Sequence, residues 1–161
     1  MDEATRARAD LIPYSKEYSG IVRSWIDTPE TYDLVCRGIN FPPPEDIVES
    51  WQRKGVSSFL LFADRKPVAY GELWERKAEQ AVEITHLIVE TYMRSKGYGT
   101  KMLQLLYDLG ATRPGIAKVL INLYHDSQEA LGCCVKAGFE ITGTAAHIEG
   151  LKMMRLVKKD R

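Results

Sequence analysis

The sequence predicts an α/β (α+β) sandwich in which helices flank a mixed central sheet of about six to seven strands. Three patterns carry that expectation. The middle of the chain holds β-rich runs, Ser57 to Ala63, Val68 to Trp74 and Glu83 to Val89, the first two joined by the turn-like Asp64-Arg-Lys-Pro. Behind them Tyr98, Met102, Leu105, Leu106 and Leu109 recur at i, i+4, i+7, i+8 and i+11, the spacing of an amphipathic helix that ends near Gly110. A second strand–helix unit follows: Val119 to Tyr124, then a helix capped by Asp126 or Ser127 and stopped by Gly138.

The remaining elements complete the order helices, meander, strand–helix, strand–helix, strand, strand. Leu11-Ile-Pro-Tyr reads as a short first strand, and Tyr18 to Trp25 and Pro29 to Arg37 carry mixed helical spacing. Glu45 to Arg53 follows the Phe41-Pro-Pro-Pro loop with the acidic first turn of a helix. Phe139 to Thr144 and Leu151 to Val157 are the late strands. No repeat or linker divides residues 1–161, so a single domain is expected, large enough to bury roughly two-thirds of its unfolded surface.

Composition narrows the partners. Lys plus Arg number 22 and Asp plus Glu 22, which leaves no excess positive charge for a phosphate backbone, so nucleic acid is not expected. The N-terminus lacks a signal-peptide core and the longest apolar runs are far below spanning length, so neither secretion nor a membrane is expected and the cytoplasm is. Cys36, Cys133 and Cys134 have neither disulfide-framework nor CxxC spacing, and His86, His125 and His147 are scattered; no metal is expected. Trp25, Trp51 and Trp74, if exposed, would mark a protein interface, and a homodimer is compatible with the chain.

Arg94-Ser-Lys-Gly-Tyr-Gly-Thr joins a strand directly to the amphipathic helix, so backbone N–H groups at the positive end of the helix dipole are offered to an anion. Gly97 and Gly99 allow a phosphate to approach the backbone, and Arg94 and Lys96 place charge at the rim. A dinucleotide fingerprint would need a third glycine where Met102 stands, and the Gly-Lys-Ser/Thr of a Walker A loop is missing.

Arg-x-x-Gly-x-Gly at 94–99, behind a strand and ahead of a long helix, resembles the acetyl-CoA loop of the GNAT acetyltransferase superfamily. Val119-Leu-Ile-Asn-Leu-Tyr-His-Asp-Ser-Gln-Glu-Ala, ending in Lys136-Ala-Gly-Phe139, is similar to its second signature. The resemblance covers roughly residues 57–145. It implies an N-acetyltransferase that moves an acetyl group from acetyl-CoA to a primary amine, on a small molecule or a peptide, by direct attack in a ternary complex. The alternative is a non-catalytic module that holds acyl-CoA. It also implies a V-shaped splay between the strands at 83–89 and 119–124, with the pantetheine arm paired to the backbone of Leu87, Ile88 and Val89. Arg94, Ser95, Lys96, Gly97, Tyr98, Gly99 and Thr100 would cradle the pyrophosphate, with Ser127 reaching the cofactor from the place of the family's asparagine.

An amine with a pKa near 10.4 must lose a proton before it attacks. Glu83 lies eleven residues before Arg94, which matches the catalytic glutamate of the histone-acetyltransferase branch, and alternation would set it on one face with Thr85, Leu87 and Val89. Glu72 and His86 are reserves for that role. The resemblance further implies an oxyanion donor among the N–H groups near Ile88 or Val89. Cys134 stands where the family often has a tyrosine that protonates the departing thiolate, and Tyr124 is a substitute.

Overall fold

The computed structural model describes residues 2–123, 128–147 and 151–159. Its sheet has seven strands in the order β1-β2-β3-β4-β5-β7-β6. These are β1 (Ala9–Pro13), β2 (Val56–Ala63), β3 (Lys66–Arg76), β4 (Ala81–Val89), β5 (Lys118–Leu123), β6 (Glu140–His147) and β7 (Leu151–Lys159). All neighbours are antiparallel except β4 and β5. The expected meander is β2-β3-β4, and its first turn is a two-residue loop with Asp64 and Arg65 both left-handed, the twist a hairpin favours.

Helices cover both faces. Short α2 (Ser19–Ser24), α3 (Pro29–Cys36) and α4 (Ile47–Ser50) lie on one side, where Val22, Trp25, Tyr32, Val48 and Trp51 pack on Leu60, Tyr70 and Ile88. Long α5 (Tyr98–Ala111) and α6 (Gln128–Lys136) lie on the other, over Leu61, Ala69, Leu73, Val82 and Ile84, together with α1 (Glu3–Arg6). Trp25 and Trp51 are therefore core residues and not an exposed interface. As expected, α5 ends near Gly110, at Ala111; Gly110 is buried within the last turn, facing Leu73, Val82 and Val119, and Thr112 caps the helix. Gly138 does stop α6, in a left-handed conformation.

Two irregularities of β4 shape the site. First, its parallel pairing with β5 covers only Ala81↔Lys118, Val82↔Val119 and Glu83↔Leu120, so the strands part beyond Glu83. The expected splay is present. Second, Tyr70 pairs with Ile88 and Glu72 with Thr85, so that His86 and Leu87 together oppose Gly71. This is a β-bulge, and His86 takes it up with φ 48°. Gly71 admits α5 closely here: a Cβ would fall 2.8 Å from Leu106 Cδ1.

The bulge inverts alternation. Val82 and Ile84 face α5, and so do Leu87 and Val89, whereas Ile88 belongs to the opposite core. Glu83 and Thr85 therefore share a face with Ile88 and not with Leu87 and Val89, because one extra residue exchanges the sides of everything after it.

Candidate active site

A single cleft of about 1250 Å³ occupies the splay, walled by β4, β5, α5 and α6 and reaching Arg53 and Trp74 at its far end. At its near end the loop before α5 has Ser95 (φ 62°) and Gly97 (φ 93°) in left-handed conformations, and the first turn of α5 follows. Alternating backbone of this kind gathers N–H groups into an anion-binding concavity at a helix N-terminus. Ser95, Gly97, Gly99, Thr100 and Lys101 all border the cleft.

The charged side chains of the loop are engaged elsewhere. Arg94 donates Nε to the Val89 carbonyl (3.0 Å) and Nη2 to the Trp25 carbonyl (2.7 Å), and pairs with Asp27 at 3.2 Å. It staples α2 to the end of β4 while it also borders the cleft. Lys96 pairs with Glu3 (3.4 Å), and Tyr98 is buried with its hydroxyl donating to the same carboxylate (3.1 Å). Burial and then Glu3 push the Tyr98 phenol up to about 12. Asp2 lies against Gly97, where an added Cβ would collide with its carboxylate.

Along the cleft the free edge of β4 is set by hydrogen bonding. The Glu90 N–H bonds to the Val68 carbonyl (2.8 Å), so alternation turns the Val89 N–H the other way, toward the opening, on the side where Arg94 holds the Val89 carbonyl.

Two carboxylates are buried beside the cleft, Glu83 on its wall and Glu72 behind His86, which also lines it. Glu83, 7 % exposed, closes the apex of the splay. Arg76 donates to it at 3.1 Å, Arg76 also meets Glu79 at 3.6 Å, and Arg155 ties Glu79 (2.7 Å) to Asn122 (3.1 Å). Burial raises the Glu83 carboxyl above its usual range, while Asn122, Arg76 and Arg155 act against the rise.

Glu72, 1 % exposed, lies across from Thr85. It receives the Tyr70 hydroxyl (2.5 Å), the Thr85 hydroxyl (2.9 Å) and His86 Nδ1 (2.6 Å). Trp51 stacks on the His86 imidazole, 4.1 Å between ring centres and 10° from parallel. The sequence showed these residue types but not their meeting, which depends on register and on a tryptophan 35 positions before His86.

Cys134, on α6, is buried in the core, and burial pushes its thiol up to about 12. Burial thus works against the proton-donor role that the resemblance implies for it. Tyr124 and Ser127, and the Asp126 cap, lie outside the described residues. Among the described residues no group of three or more His, Cys, Asp or Glu could hold a metal ion.

The chain matches the family model described as Acetyltransferase (GNAT) family over residues 22–139, and it belongs to that family. An aminoglycoside N(6')-acetyltransferase type 1 of Klebsiella pneumoniae is 25% identical over 109 residues, 61% of this chain and 54% of that protein. A kanamycin resistance protein of Rhizobium radiobacter is 30% identical over 81 residues, 50% of this chain and 75% of the relative. The chain thus spans about half the length of the aminoglycoside acetyltransferase relatives it matches. Among solved structures, aminoglycoside acetyltransferase AAC(6')-Ib in complex with coenzyme A and kanamycin superposes with a TM-score of 0.78 at 19% identity, covering 94% of this chain and 95% of that one. Spermidine N-acetyltransferase from Vibrio cholerae in complex with CoA and spermine does so with 0.74 at 12%, covering 94% and 95%. These likenesses describe the fold.

Proposed function

We propose that the protein is an N-acetyltransferase that binds acetyl-CoA and a primary amine together and transfers the acetyl group by direct attack. The observation that carries this is the continuity of the cleft, which joins the backbone concavity at 95–100, the free edge of β4 and the buried acceptor-side groups in one space.

The pyrophosphate seats on the N–H groups of the Ser95–Thr100 loop, a place already favourable enough to a negative group that Asp2 lies against it. The pantetheine arm runs along Leu87, Ile88 and Val89 as an added strand, and the outward Val89 N–H meets the thioester oxygen where negative charge develops. The amine comes from the Trp51 and Trp74 side and loses its proton to a group on that face of β4. Glu83, with its carboxyl raised by burial, is one such group, although Arg76 competes for it. The coenzyme A thiolate is a tolerable leaving group near neutral pH and departs without help from Cys134. Cys36, Cys133 and Cys134 are free thiols, which suits a reducing cytoplasm.

Thiol release from acetyl-CoA across a panel of amines tests this, with kanamycin and spermidine beside amino acids and peptide N-termini, and bare hydrolysis as the control. Amine-dependent release is expected. Calorimetric acetyl-CoA binding with no release from any amine would leave a non-catalytic acyl-CoA module.

A further inference from the structure

The geometry points to His86, oriented by Glu72, as the group that takes the proton from the acceptor amine, with Glu83 acting as a clasp at the apex of the splay. This assignment rests on the acetyl-transfer reading above.

The polarity of the network around Glu72 is fixed at its far end by a backbone carbonyl. Gln52 Nε2 donates to the Val48 carbonyl (3.1 Å), which can only accept, and its Oε1 accepts from Ser58 (2.7 Å). Nε2 must therefore also be the donor to the Tyr70 hydroxyl (2.9 Å), leaving the Tyr70 proton for Glu72. Thr85 adds a second proton donor, and the carboxylate then accepts from His86 Nδ1. With the proton on Nδ1, the lone pair is on Nε2, for which the described residues provide no hydrogen-bond partner. The ring borders the cleft, held in plane by Trp51, whose face would also favour the imidazolium that forms.

Position along β4 separates His86 from Glu83. The outward N–H of Val89 is six residues from Glu83, roughly 20 Å at about 3.3 Å per residue, and three from His86, roughly 10 Å, with the bulge shortening both. An imidazole reaches the thioester neighbourhood; a carboxylate at the apex needs intervening water. Glu83 is also committed to Arg76 and, through Asn122 and Arg155, to Glu79. That clasp joins β3, β4, β5 and β7 where the splay begins. His86, by contrast, sits in a left-handed conformation at a bulge, a strained place of the kind functional residues occupy.

In the step itself, Nε2 takes one proton from the ammonium, and the freed nitrogen pair attacks the acetyl carbonyl carbon. The C–N bond forms and the C–S bond breaks, with its electron pair leaving on sulfur. The nitrogen's second proton goes to the thiolate, and His86 releases the first to solvent. Glu72 is the charged group that touches the ring; Arg37, Arg53 and Glu83 are other charged groups on the cleft wall.

His86→Asn tests the assignment, since asparagine tolerates left-handed backbone. It should bind acetyl-CoA within twofold of wild type and lose about 10²- to 10⁴-fold in kcat, the usual span for a positioned base. The acid limb of the kcat/KM profile should vanish with it. His86→Gly, also at ease at this φ, leaves a hole against Trp51, and added imidazole should restore turnover. Glu72→Gln should move the acid limb and lower kcat with KM for acetyl-CoA unchanged, as a positioning residue does. Near-normal kcat in His86→Asn together with a hundredfold loss in Glu83→Gln would overturn the assignment while leaving acetyl transfer standing. A wild-type protein that turns over no amine would overturn both.

Discussion

The two ends of the cleft are built from different materials. At the end proposed for the cofactor the groups on offer are consecutive backbone N–H groups, shaped by Ser95, Gly97 and the start of α5, while Arg94 and Lys96 pair with Asp27 and Glu3. At the end proposed for the acceptor they are side chains from three separate segments, Trp51, Tyr70 with Glu72, and Thr85 with His86, gathered by register and packing. A site made of backbone depends on shape and glycine; one made of side chains depends on every partner that sets its polarity.

That contrast can be broken most directly at Gly99. A Cβ there is tolerated, 3.4 Å from Cys133 Sγ, so Gly99→Glu should fold, while its carboxylate faces the cleft where phosphate is to sit. Calorimetry should show acetyl-CoA affinity reduced at least a hundredfold, about 2.7 kcal/mol; unchanged affinity would end the anion-seat reading. Arg94→Ala sharpens the same end from the other side. If Arg94 is a staple, the loss is in stability: roughly 1.5–3 kcal/mol for a charged hydrogen-bond donor, a fall in melting temperature of several degrees. A variant that melts normally but binds acetyl-CoA weakly would return the guanidinium to the phosphate.

At the acceptor end, Gln52→Met removes the amide that fixes the direction of the network while keeping the apolar stem. About 1 kcal/mol of stability and a several-fold drop in turnover are expected, without change in acetyl-CoA affinity. Equal loss of binding at the cofactor end would show the two ends to be coupled.

Asp27→Asn should have a smaller effect that depends on pH. Burial works against ionising Asp27, but the Thr91 hydrogen bond and the Arg94 charge outweigh it and hold its carboxyl below the ordinary aspartate value. A depressed carboxyl adds stability above its unfolded pKa and loses it as the pH falls through the folded value. Wild type should therefore out-melt Asp27→Asn at pH 7, and the difference should close in acid; a gap that persists below pH 3 would exclude this ion pair as its source. The smallest expectation is at the thiols: mild reductant and chelator should shift the melting temperature by less than about a degree, since disulfides are absent and the core supplies the stability.

What the sequence revealed follows the same division. The 94–100 loop, α5, the Asp64-Arg65 turn and the Gly138 stop are written in neighbouring letters and were legible, because each is decided by local backbone preference. The bulge was not, since a strand of this composition reads as regular alternation until Gly71 and α5 impose a register, and so Glu83 was set on the wrong face. That Arg94 also pairs with Asp27 was not legible, because the partner lies 67 residues away. Trp51 gave no signal of stacking on His86, and Cys134, placed correctly in α6, gave no sign of the burial that raises its pKa.

The splay has a further consequence for how the protein meets heat and solvent. Beyond Glu83 it leaves an open strand edge in the interior of the sheet, where other proteins keep such edges covered. With acetyl-CoA lying along β4, that edge would gain the partner strand the fold withholds, and the ligand would complete the sheet. Saturation at a hundred times Kd should then add about 2.7 kcal/mol to the folded state by mass action. The amide of Val89 should exchange quickly without acetyl-CoA and become one of the slower ones with it.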